Sequence, residues 1–130
     1  LVEALGGAAV SLVLYGSTAR GEDRPDSDLD ILLIAEGSLP EAERKSLELK
    51  GEYLYRERRA ISVIVYSRRD FAEAVKQGFP FVLGVASGYR VLHDPTGFFR
   101  EQMKAVEAME AAGLLKRYSK GWVWVTQDGL

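Results

Sequence analysis

The apolar run Ile31-Leu32-Leu33-Ile34 opens directly behind two acids, Asp28 and Asp30. With Leu29 counted in, the near-continuous apolar stretch Leu29 to Ile34 reads as a central strand covered on both faces. Residues two apart in a strand point to the same side, so Asp28 and Asp30 would present both carboxylates together. Such a pair repels itself unless a positive charge lies between its members, and a hard divalent cation such as Mg²⁺ prefers oxygen ligands of this kind. A second apolar run, Val10 to Tyr15, stops abruptly at Gly16-Ser17, and the polar, Gly/Pro-broken segment up to Ser27 joins the two runs. Gly16 lets the backbone approach a ligand closely. The amides there and the Ser17 hydroxyl suit phosphate oxygens.

The spacing is specific. Gly16-Ser17, ten residues, then Asp28-Leu29-Asp30 resembles the Gly-Ser-x10-Asp-x-Asp pattern of the minimal nucleotidyltransferases, a branch of the DNA polymerase β-like superfamily. Arg20 and Ser27 also fit it. The resemblance covers residues 16–30. It implies transfer of a nucleoside monophosphate from an NTP, ATP by preference, to an acceptor hydroxyl on a protein or small molecule, with release of pyrophosphate. It also implies two Mg²⁺ ions, which can clamp the incoming and leaving oxygens of an in-line displacement. On that resemblance Asp28 and Asp30 are the catalytic metal ligands. Gly16, Ser17, Arg20 and Ser27 are nucleotide-binding. Small members often act as the antitoxin of a toxin–antitoxin pair and modify a helical HEPN-type partner.

One element departs from the family. Polymerase β-like enzymes usually place a third carboxylate on a neighbouring strand, where it binds the second metal and helps deprotonate the acceptor. The corresponding run here, Ile61-Ser62-Val63-Ile64-Val65-Tyr66, contains no acid, and Ser62 takes the position. Serine is a poor Mg²⁺ ligand and no base at neutral pH. The sequence therefore leaves three outcomes open: a slow transferase, a transferase that recruits Glu57 or Asp70, or a domain that binds nucleotide and a partner without turnover.

The rest of the chain alternates strands and helices, which indicates an α/β organisation. The family adds a mixed central sheet (α+β) with helices mainly on one side. Leu1 to Leu5 reads as a helix tail ended by Gly6-Gly7, and residues 18–21 as a short helical turn. Ser38-Leu39-Pro40-Glu41 has the form of a helix start, with the helix running to about Arg58. Its charges suit a solvated face, with Arg56, Arg58 and Arg59 as candidates for phosphate contact. Further along, Ser67-Arg68-Arg69-Asp70 repeats the capping pattern for a helix stopping at Gly78, and Pro80 to Ala86 makes another. Tyr89 to Leu92 is a fourth strand, turned at Asp94-Pro95. Phe99, Met103, Val106 and Met109 recur at helical spacing and predict a helix over Thr96 to Ala112, its methionines serving as core filler. Trp122-Val123-Trp124-Val125 alternates like a strand. Its tryptophans suit packing against the domain, or a partner surface. His93, the single histidine, reads as structural.

Composition narrows the function class. At 130 residues the chain fits one domain, residues 1–130. Because it begins at Leu1 rather than methionine, further chain upstream is an open expectation. The 47% hydrophobic and 28% charged residues are ordinary for a globular protein. No run is long enough for a membrane span, and no signal peptide is visible. The absence of cysteine excludes disulfides and thiolate metal sites and makes a cytoplasmic location the default. A net charge of −2 gives no global case for nucleic-acid binding. The oligomeric state is left open.

Overall fold

The computed structural model describes residues 9–16, 29–36, 43–44, 47, 50, 61–118 and 121–124. Its centre is a four-stranded mixed sheet in the order β3-β2-β1-β4. The strands are β1 (Ala9–Tyr15), β2 (Leu29–Ala35), β3 (Ile61–Ser67) and β4 (Tyr89–His93). β1 runs antiparallel to both β2 and β4, while β2 and β3 are parallel. The expected mixed sheet is therefore present, and its strand bounds agree with the sequence reading to within two residues.

Three helices, α1 (Arg68–Gln77), α2 (Pro80–Ala86) and α3 (Phe98–Ala111), pack on one sheet face. Val13, Leu32 and Ile34 from the strands meet Phe71, Val75, Val82, Phe99, Met103 and Val106 from the helices there. On the opposite face Leu12, Leu14, Ile31, Leu33 and Ala35 form a second buried group. Ile31 to Ala35 are all buried, which is what an aliphatic run without alternation requires. The four helical positions Glu43, Arg44, Leu47 and Lys50 fall inside the helix expected over residues 38–58. The rest of that helix, the expected elements at residues 1–5 and 18–21, and Arg56, Arg58 and Arg59 lie outside the described residues.

Local chemistry sets the helix ends. The Asp70 amide donates to Ser67 Oγ at 3.0 Å, and Gly78 closes α1 in the left-handed conformation (φ 61°). α2 carries proline in its first turn, as expected. α3 begins at Phe98, two residues later than the sequence reading. The reason is Asp94. Its carboxylate accepts from the amides of Phe99 (3.0 Å) and Arg100 (3.1 Å), so residues 94–97 form the turn that the helix follows. The same carboxylate accepts the Ser11 hydroxyl of β1 at 2.7 Å and faces the Arg100 guanidinium at 3.6 Å. Asp94 thus ties β1, an inner strand, to the start of α3.

The C-terminal reading needs an addition. Gly121–Trp124 is a strand, as expected, but it pairs with an unanticipated one, Leu115–Tyr118; these are β6 and β5, a separate two-stranded sheet. Two apolar residues around Lys116-Arg117 give too weak an alternation to announce β5. The register sets position 115 opposite 124 and 117 opposite 122. Leu115 is buried in the main core.

Gly84 is a glycine that its surroundings do not require. Gly84, in the exposed part of α2, has nothing within 4 Å of where a Cβ would stand. Gly84→Ala is therefore expected to stabilise the protein by about 0.5–1 kcal/mol through helix propensity. A thermal midpoint equal to or below that of the parent protein would contradict this.

Candidate active site

At one end of the sheet the chain leaves β1 through Gly16 and enters β2 at Leu29-Asp30. Tyr15 and Asp30 are cross-strand partners, so both side chains emerge on one face. Gly16 adopts φ +79°, in the left-handed region where a side chain is strained. A Cβ added there would stand 2.5 Å from Asp30 Oδ2 and 3.3 Å from its Cγ. The glycine backbone is thus seated directly against the carboxylate, closer than any other residue would permit. Gly16 and Asp30, separated by thirteen residues of chain, are brought together as the sequence reading required. Ser17, Arg20, Ser27 and Asp28, the other candidate residues, lie outside the described residues.

Asp30 is flanked on its other side by Ser62. β2 and β3 are in parallel register with Asp30 paired to Ser62, so the hydroxyl and the carboxylate share the face. The strand position beside Asp30 therefore holds a neutral, weakly basic group. Asp70 does not stand in for a missing carboxylate: it lies in α1, beyond Ser67 at the far end of β3. Ser67 stands five positions beyond Ser62, roughly 17 Å of strand. Glu57, the other candidate, lies outside the described residues. The donor at hand, a carboxylate oxygen against glycine backbone, suits a hard divalent cation and phosphate oxygens.

Tyr15 is a site neighbour that the sequence reading treated only as the end of a strand. Its ring meets Phe81 edge-on (5.4 Å, 84°), and Phe81 in turn stacks with Tyr66 (5.6 Å, 19°). Burial, then the Asp30 charge, then Tyr66 push the Tyr15 hydroxyl up from 10.0 to about 12. The sign for stability follows. The folded state holds this proton more tightly than the unfolded chain, so the contribution is complete below pH 10 and is lost as pH rises towards 12. Asp30→Asn is expected to lower the Tyr15 titration while leaving it above the ordinary tyrosine value, because burial is the larger cause. Phenolate absorbance, assigned by difference from Tyr15→Phe, measures it. An unchanged midpoint would show that Asp30 and Tyr15 do not interact.

Comparison with known proteins identifies the family. Residues 2–93 match the nucleotidyltransferase domain family, and the chain belongs to that family. A Methanocaldococcus jannaschii protein provisionally named a protein adenylyltransferase is 29% identical over 102 residues, covering 75% of this chain and 67% of its own. Among solved structures, a toxin–antitoxin complex with AMP-PNP superimposes with a TM-score of 0.56 at 15% identity, covering 85% of this chain and 84% of the other. A Shewanella oneidensis complex of a tri-AMPylated HEPN toxin with its MNT antitoxin gives 0.51 at 14% identity, covering 85% and 79%. At these identities the structural likeness speaks for the fold: a mixed four-stranded sheet with helices, as in the minimal nucleotidyltransferases. Among the described residues no helix is long and apolar enough to cross a membrane.

Proposed function

We propose that this domain, residues 1–130, transfers a nucleoside monophosphate, AMP by preference, from a Mg²⁺-bound NTP to a hydroxyl of a protein or small molecule in the cytoplasm. The observation that carries the proposal is Gly16 seated against the Asp30 carboxylate at the sheet end. The family match and the adenylyltransferase relative support the reaction class. Asp30, with Asp28 two residues before it, would hold the metal ions. Bound there, they would neutralise phosphate charge and favour departure of pyrophosphate. Gly16 and Ser17 would bind the triphosphate, with Arg20 and Ser27 completing the loop. The acceptor oxygen attacks the α-phosphorus, the bond to the β-phosphate oxygen breaks, and the acceptor proton leaves to solvent. A HEPN-type helical partner is the acceptor that the toxin–antitoxin structures suggest.

Ser62 beside Asp30 favours a second reading, a module that binds nucleotide and a partner with little turnover. General-base assistance is worth about 10²- to 10⁴-fold, so its absence from β3 predicts a slow enzyme rather than an inert one. Pyrophosphate release from ATP by the purified protein and its partner separates the readings. A transferase gives release that EDTA abolishes and that Ser62→Asp accelerates. No release from either protein, with Mg²⁺-dependent ATP binding retained, would establish the binding module instead.

A further inference from the structure

The ladder that holds Asp30 continues across the whole sheet. Ser62, Asp30, Tyr15 and Tyr89 are successive partners on β3, β2, β1 and β4. Directly paired residues point to the same face, so these four side chains leave the sheet on one side and at one level. Adjacent strands lie ~4.8 Å apart, which sets Tyr89 roughly 10 Å from Asp30, two strands away. An extended nucleotide is about that long from its α-phosphate to its base.

Tyr89 has the surface for such a contact. It is 37% exposed, while its ring meets the fully buried Phe99 at 5.1 Å and 80°. The core thus holds the ring in place, part of it stands open to solvent, and its strand position lies on the same row as Asp30. Tyr15, between the two, is half-buried and occupied with Phe81. We infer that Tyr89 is the stacking platform for the base of the nucleotide whose phosphates lie at Gly16 and Asp30. This rests on the nucleotide site proposed above. Stacking uses the face of the base and reads no hydrogen-bonding edge, so the platform supplies affinity more than base identity.

Calorimetric titration in MgCl₂ with two probes, AMP-PNP and inorganic triphosphate, tests the assignment. Tyr89→Leu is expected to weaken AMP-PNP about tenfold, the size of one base–aromatic stack, with triphosphate affinity unchanged. Tyr89→Phe, which keeps the ring, should bind both as the parent protein does. In the parent protein AMP-PNP should also shift the Tyr89 ring resonances where triphosphate does not, a measurement that does not require the leucine variant to fold. AMP-PNP binding undiminished in Tyr89→Leu, equal weakening of both probes, or ring resonances indifferent to AMP-PNP would overturn the stacking role. A parent protein that binds neither probe would overturn the nucleotide site itself.

Discussion

Gly16→Ala is expected to lower stability by about 1–2 kcal/mol and nucleotide transfer by about a hundredfold. The two effects have different causes. At φ +79° the added methyl is strained by its own backbone, wherever its neighbours lie. It would also stand 2.5 Å from Asp30 Oδ2, so the carboxylate, the backbone or both must shift. An aspartate has few torsions with which to retreat, and its position on β2 is fixed by partners on both sides. Misplacement of a reacting group by about 1 Å is enough to cost two orders of magnitude in rate. Thermal melting reads the first effect and pyrophosphate release the second. An alanine variant matching the parent protein in both would show that the close approach of Gly16 to Asp30 does not matter.

Asp94→Ala should produce the largest loss of stability, about 3–4 kcal/mol, equivalent to a fall of roughly 11–15 °C in midpoint. The carboxylate satisfies two amides at the start of α3 and the buried Ser11 hydroxyl of β1. Removing it deletes a helix cap, worth about 1 kcal/mol, and leaves buried donors unpaired at about 1–3 kcal/mol each. Asp94→Asn keeps one acceptor oxygen and should lose less. Ser11→Ala removes a single bond and should cost about 1 kcal/mol. If Asp94→Ala melted like the parent protein, the clamp between β1 and α3 would contribute nothing measurable.

The parts of the fold legible in the sequence were those with short-range chemistry. The Ser67 cap, the Gly78 stop and the proline of α2 announced their helices through local hydrogen bonding and backbone geometry. The aliphatic run behind Asp30 announced a strand buried on both faces. The start of α3 lies two residues beyond the expected one because its cap comes from Asp94, upstream of a turn, rather than from a residue next to the helix. β5 is not legible in the sequence because Leu115-Lys116-Arg117-Tyr118 is too short and polar to declare itself without β6. At the candidate site, the sequence suggested Gly16 and Asp30 as neighbours with Ser62 on the strand beside the acid, and the strand pairing has them so. The sequence could not show that the glycine touches the carboxylate, nor that Tyr15 and Tyr89 continue the row from Asp30. Those facts depend on strand order and register, which no local spacing encodes.

The most direct test of the central claim is incubation of the purified protein with MgCl₂ and each α-labelled NTP in a lysate of its source organism, with Asp28→Asn and Asp30→Asn alongside. The account predicts a labelled product, strongest with ATP and absent from both variants, despite the serine at position 62. A product that persists in the Asp30→Asn variant would contradict the assignment of Asp30 to the metal site. No product with any NTP would contradict transfer as the function.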